Sequence, residues 1–307
     1  MASPPAPAPV ASPPPAQPPA PRVVQATPPS ASADLPPGTI RILPPAPAAL
    51  PTPVASAAPS VGAPPGLISP PAASASADGL RVEPADQPVL KVTRSGAPDT
   101  GFMRMHEQYV QKAKAGGIDL YMLGDSIIDF WQHRHGSDWD KHFANDHAGD
   151  FGISGDRTEH VLWRIDNGEL DGLHPKAIVL LIGTNNLASN AVFAADSVDE
   201  TYAGIKAILD DLRRRSPDSH ILLMAVFPRE DKPLDGEIDQ LNKKLPALAD
   251  GEHIRFLNIN DQLTDSTGKL LPGVMLRDRL HPDDKGYDIW AKAMQPLLAQ
   301  WLGAGGH

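Results

Sequence analysis

From residue 102 onward the chain alternates between two apolar patterns. One is a short apolar run of six or seven residues: "IDLYML" at 118–123, "AIVLLI" at 177–182, "HILLMAV" at 220–226 and "IRFLNI" at 254–259, with "GDFGIS" at 149–154 a weaker, glycine-bearing instance. Runs of this length, rich in β-branched and aliphatic residues and bounded by glycine or polar turns, fit strands covered on both faces. The other pattern repeats every three to four residues. It marks helices at 102–115 ("FMRMHEQYVQKAKA", stopped by Gly116 and Gly117), at "SIIDFWQHR" directly after Ser126's glycine turn, and at "DRTEHVLWRI", with Val161, Leu162 and Ile165 on one side.

Further helices carry clearer punctuation. Ser197 followed by Glu200 is a capping box, ahead of a stripe of Tyr202, Ile205, Leu209 and Leu212, with Pro217 beyond the end. "EIDQLNKKLPALA" is helical but interrupted at Pro246, and 284–302 closes the chain with Trp290, Met294, Leu297 and Trp301 on one face. Strand and helix alternate throughout, which predicts an α/β domain: a parallel sheet between two helical layers, α/β/α.

Residues 1–90 change the picture. They hold 26 of the 35 prolines, four acidic and three basic residues, and no aromatic residue; the first aromatic is Phe102. Such a Pro/Ala/Ser-rich segment cannot bury enough apolar surface to offset the entropy of ordering it. We expect a disordered, semi-stiff tail or linker over 1–90 and a folded domain over 91–307.

Charge and cysteine content narrow the chemistry. The chain carries a formal net charge of −10, and its one tight basic run, Arg213 to Arg215, falls at a helix C-terminus, where cations offset the helix dipole. No nucleic-acid partner is expected. There is no cysteine, so neither disulfides nor thiolate catalysis operate. No run is long enough for a membrane span, so no integral membrane segment is expected. The start lacks the charged and apolar regions of a secretory signal. Met1 directly ahead of a proline-rich run fits a leader already removed, which would favour a periplasmic or secreted location.

In open α/β sheets, ligands bind beyond the carboxyl ends of the strands. Four such ends carry reactive or polar groups. "GDS" at 124–126 places Ser126 where the first strand turns into a helix; alone it reads first as a turn and helix N-cap. Gly155 follows the second strand and lets a backbone N–H approach a ligand. "GTNN" at 183–186 follows the third and offers an asparagine amide. Near the C-terminus, "RDRLHPDDKGY" spaces Asp278 and His281 so that a carboxylate can hold an imidazole in its useful tautomer. Together they supply the hydroxyl, base, orienting acid and oxyanion donors of acyl transfer. "HRH" at 133–135 is the one metal-like cluster; no matching carboxylate–His spacing accompanies it, so no metal is expected.

This combination resembles the SGNH, or GDSL-type, hydrolase family, whose four blocks occur in order as "GDS" at 124–126, the glycine block at 152–156, "GTNN" at 183–186 and "DRLH" at 278–281. That resemblance covers roughly 95–302; more narrowly, "FGISGDRTEHVLWRIDNGEL" followed by "GTNN" is similar to the platelet-activating-factor acetylhydrolase catalytic-subunit branch. Two departures stand out: GDSI replaces GDSL, and the third block has Asn-Asn where Asn-Asp is common. The resemblance implies a flavodoxin-like sheet of five parallel strands. It implies Ser126 as nucleophile, His281 as general base, Asp278 as its orienting partner, and an oxyanion hole from the N–H groups of Ser126 and Gly155 and the side-chain amide of Asn185. Asp125 is read as tying down the turn. No cofactor is needed.

The expected function is a serine esterase that removes short acyl groups, acetyl foremost, from carbohydrate or small soluble alcohols. A lysophospholipase or platelet-activating-factor-acetylhydrolase-like lipid esterase is the alternative within enzymes, and a non-catalytic binding or scaffold module the alternative outside them. A homodimer is compatible with the sequence.

Overall fold

A computed structural model describes residues 74–76 and 78–303, so most of the expected proline-rich tail lies outside the described residues. The strands are β1 (Ser74–Ala75), β2 (Arg81–Val82), β3 (Leu120–Gly124), β4 (Ala148–Gly152), β5 (Ala177–Leu181), β6 (His220–Met224) and β7 (Ile254–Leu257). The helices are α1 (Thr100–Ala115), α2 (Ser126–Arg134), α3 (Gly136–Phe143), α4 (Thr158–Arg164), α5 (Val198–Arg215), α6 (Lys232–Lys244), α7 (Asn260–Leu263) and α8 (Asp284–Leu302). Five strands form one parallel sheet in the order β4-β3-β5-β6-β7. This is the flavodoxin-like order, second-first-third-fourth-fifth, with its switch point between β3 and β5. β1 and β2 make a separate two-residue antiparallel pairing.

The short apolar runs form these five strands because their side chains are needed on both faces. Tyr121, Leu123, Ile178, Leu180 and Leu223 point one way and pack with Val161, Ile205, Leu209 and Ile238 of α4, α5 and α6. Leu120, Met122, Val179, Leu181 and Met224 point the other way, onto Ile128, Trp131, Trp290 and Met294 of α2 and α8. The alternation of a strand thus builds two cores from one unbroken hydrophobic run.

Local signals match the element ends. The Ser197 hydroxyl accepts the Glu200 N–H at 3.2 Å, and the Glu200 carboxylate accepts the Ser197 N–H at 2.8 Å. α6 stops at Lys244 and tightens into a 3₁₀ turn over Leu245–Leu248, where Pro246 has no N–H to continue the α pattern. Arg213 ties the loop after α5 back to the helix by donating to the carbonyls of Pro217 and Ser219 at 2.7 and 3.0 Å.

The contacts of the domain begin earlier than composition indicates. Residues 81–90, placed with the tail by their prolines, lie against the domain. The Arg81 N–H donates to the Val192 carbonyl at 2.9 Å, and the Val89 N–H to the Glu159 carbonyl at 3.0 Å. Ala85 and Val89 are buried. No helix among the described residues is long and apolar enough to cross a membrane.

Candidate active site

The break in "LYMLGDSIIDFW" is a packing requirement. Gly124 ends β3 between Gly152 of β4 and Leu181 of β5. A Cβ on Gly124 would fall 2.2 Å from the Leu181 carbonyl oxygen, and one on Gly152 would fall 2.3 Å from the Asp129 nitrogen. Only glycine lets α2 start this close to the sheet. Asp125 then caps α2: its buried carboxylate accepts the Ile127 N–H at 2.9 Å. Burial pushes the Asp125 carboxyl up to about 7, against the pull of the Ile127 N–H. Ser126 is the first residue of the helix, with its backbone N–H in the unsatisfied first turn.

The loop before α8 brings the partners. Asp278 Oδ1 accepts the N–H groups of Leu280 and His281, each at 3.0 Å, folding 278–281 into a tight turn. Arg279 within it sits at a left-handed φ of 58°. The same carboxylate's Oδ2 lies 2.8 Å from His281 Nδ1, and His281 Nε2 lies 2.8 Å from the Ser126 hydroxyl. The Asp278 contact puts the ring proton on Nδ1, leaving Nε2 to accept from Ser126. Partial burial raises the Asp278 carboxyl, but the hydrogen bonds from His281 and Leu280 outweigh it and hold the group below its ordinary value. Phe130, one turn along α2 from Ser126, stacks on the His281 ring at 4.3 Å between centres.

The other two strand ends reach the same place. Gly155 has φ 74°, a left-handed conformation that glycine adopts without strain. The Asn185 side-chain amide donates to the Asp156 carbonyl at 2.9 Å and lies 3.4 Å from Asp125 Oδ2. That contact ties "GTNN" to both the glycine block and the serine turn. Asn186, the residue that departs from the usual block, is a buried hub: it accepts the Thr158 N–H at 3.0 Å and donates to Asp196 at 2.8 Å.

Beneath this floor runs an ionic layer that hydrophobic periodicity does not reveal. Arg164, fully buried, reaches Glu169 at 2.7 Å and the carbonyls of Phe151 and Gly124 at 3.0 and 3.2 Å. Its Nε lies 2.8 Å from Asp156 Oδ2, an ion-pair contact whose N–H is not aimed at the oxygen. Arg157, also buried, pairs with Glu159 at 2.6 Å and Asp196 at 2.7 Å. A guanidinium that bonds strand-end carbonyls and carboxylates at once fixes the loops above it. The "HRH" rings diverge: His133 pairs with Asp129 at 2.7 Å and His135 with Asp284 at 2.5 Å.

Two concavities share walls with neighbouring residues, and neither is lined by Ser126, Gly155, Asn185, Asp278 or His281. One, of about 340 Å³, is lined by Lys91, Phe102, Met105, Asp129, Ile153 and Ser154. The other, of about 770 Å³, is lined in part by Pro228, Glu230, Ile238, Asn260 and Lys269. Glu230 forms an ion pair with Arg279, in the turn that carries His281.

The chain is 34% identical over 210 residues to platelet-activating factor acetylhydrolase IB subunit alpha2 of Rattus norvegicus, an alignment covering 66% of this chain and 86% of that protein. It is 32% identical over 208 residues to subunit alpha1 of Homo sapiens, covering 66% and 85%. Among solved structures, a GDSL-like lipase from Bacteroides thetaiotaomicron shares the fold, with a TM-score of 0.53, 22% identity, and coverage of 64% of this chain and 97% of the other. The family model described as GDSL-like Lipase/Acylhydrolase matches residues 122–289. The match runs from β3 into α8 and so takes in every strand end described above: the chain belongs to the GDSL-like lipase/acylhydrolase family and is an ester hydrolase.

Proposed function

We propose that the protein hydrolyses short-chain carboxylic esters, acetyl esters foremost, through an acyl-enzyme on Ser126. The observation that carries this reading is the unbroken relay from Asp278 to His281 to Ser126, with both contacts at 2.8 Å. His281 takes the hydroxyl proton as Ser126 attacks the ester carbonyl. Asp278 holds the ring and stabilises the imidazolium. The developing oxyanion is met by the N–H groups of Ser126 and Gly155 and by the Asn185 amide, which leaves the Asp156 carbonyl to do so. His281 then returns the proton to the leaving alcohol, and water, activated by the same ring, releases the acid. Asp125 caps the turn and takes no part in proton transfer.

For the alcohol portion, we favour carbohydrate or small soluble alcohols. The chain's formal net charge of −10 offers little attraction to anionic lipid headgroups. A second reading, an acetylated phospholipid, is favoured by the names of the relatives at 32–34% identity. Acetylated sugars, nitrophenyl esters of increasing chain length and an acetylated ether phospholipid, each assayed with wild type and Ser126→Ala, separate the two. Fast release of acetate from sugars with slow turnover of the phospholipid supports the first reading; the reverse order supports the second. Turnover that survives in Ser126→Ala contradicts both.

A further inference from the structure

Lys91 precedes the family-matched residues 122–289, yet its side chain reaches into the glycine block. Its ammonium donates to the Ser154 carbonyl at 2.7 Å and to Asp156 Oδ1 at 3.2 Å, bracketing Gly155. A Cβ at Gly155 would lie 3.2 Å from Lys91 Nζ. The side chain is only 12% exposed.

The backbone carrying Lys91 is itself fixed. Its carbonyl accepts the Asp99 N–H at 3.0 Å, Val92 bridges to Pro98, and two residues earlier the Val89 N–H bonds the Glu159 carbonyl at 3.0 Å. Further back, the Thr158 hydroxyl donates to the Ala85 carbonyl at 2.8 Å. The segment 85–92 is therefore tied to the start of α4, directly after the glycine block.

The Ser154 carbonyl and the Gly155 N–H belong to one planar trans peptide, so they point in opposite directions. A cation fixed on the carbonyl sets the direction of the N–H. It also draws electron density toward the oxygen and makes the N–H a stronger donor. We infer that Lys91 is a positioning residue for the reaction: from outside the family-matched segment, it orients and polarises the peptide whose Gly155 N–H receives the oxyanion. This rests on the oxyanion role proposed for Gly155. Lys91 acts through that peptide and does not touch the reacting atoms.

The chain has no cysteine, which permits a chemical test. In the full chain, Lys91→Cys would carry a single thiol, and alkylation with 2-bromoethylamine would restore an ammonium at nearly the original length. With p-nitrophenyl acetate, Lys91→Cys and Lys91→Met should lose roughly tenfold to hundredfold in kcat, with KM changed less than about threefold, as for weakening one oxyanion donor. Aminoethylation should return most of the lost kcat, and Lys91→Arg should keep more activity than Lys91→Met. Wild-type turnover in Lys91→Cys and Lys91→Met overturns the inference. So does a loss that neither aminoethylation nor arginine repairs, since that marks packing and not the cation. If Ser126→Ala is dead while the Lys91 variants run at full rate, only this inference falls. If Ser126→Ala stays active, the acyl-enzyme reading falls with it.

Discussion

His281 Nε2 lies 2.8 Å from the Ser126 hydroxyl although 155 positions of chain separate the two residues. One sits on the first turn after β3 and the other on the last loop before α8. The contact exists because a parallel sheet gathers all its carboxyl ends on one edge. α8 is also locked under α2 by the Tyr287 hydroxyl, which donates to the Ile127 carbonyl at 2.9 Å.

Asp278 should matter through the tautomer it imposes. Asp278→Asn keeps the shape of the turn but presents an amide to His281 Nδ1, so the ring can protonate on the wrong nitrogen. A fall in kcat approaching 10⁴-fold is expected, by analogy with the corresponding change in serine proteases, measured with p-nitrophenyl acetate at neutral pH. Activity within tenfold of wild type would remove Asp278 from the relay.

On the oxyanion role proposed for Asn185, Asn185→Ala should lower kcat by about 10²–10³-fold with little change in KM, because that role engages the ester oxygen only as charge develops. Steady-state kinetics on one small ester distinguish this from a binding defect. Asn186→Ala should behave differently: it strips Thr158 and Asp196 of a buried partner and should show first as a lower melting temperature.

Arg164→Met should destabilise the fold by about 3–5 kcal/mol, since Glu169 would be left as a buried carboxylate without its guanidinium and Asp156 with Lys91 as its remaining cation. Urea denaturation reads this as a lower midpoint. A shift within 0.5 kcal/mol or so would mean that water or His106, 3.0 Å from Glu169, replaces the guanidinium.

Asp125 gives a pH dependence with a definite sign. Its carboxyl titrates near 7 in the fold against an ordinary 3.8, so between those values the native state holds a proton that the unfolded chain has released. The group's contribution to stability is therefore greatest at low pH. It falls as pH rises from about 4, and the full penalty, on the order of a few kcal/mol, is in place above pH 7. Asp125→Asn retains a capping oxygen and has nothing to titrate. Unfolding free energies at pH 5 and pH 8 should show the variant gaining on wild type at the higher pH.

The sheet was legible because each strand is an aliphatic run with turn residues on both sides, and the helices because their stripes carry caps such as Ser197–Glu200. α3, "GSDWDKHF", escaped because eight residues with three apolar-facing positions give no period to read. Ser126, Asn185, Asp278 and His281 stood out in the sequence as polar residues, and Gly155 as a glycine, beyond strand ends, a place defined by topology; the structure brings His281 to Ser126 and Asp278. Arg157 and Arg164 were not, because a buried arginine looks like an exposed one until the carboxylates that face it are placed. Lys91 was hidden further, at the edge of a proline-rich stretch whose composition pointed away from the domain.

The most direct test of the account is where the acyl group goes. Wild-type protein mixed with p-nitrophenyl acetate, quenched in acid during the first turnover and digested, should yield one acetylated peptide containing Ser126. The adduct should be absent from Ser126→Ala. Sustained turnover with no adduct on Ser126, or an adduct on another residue that forms and decays at the rate of turnover, would contradict it.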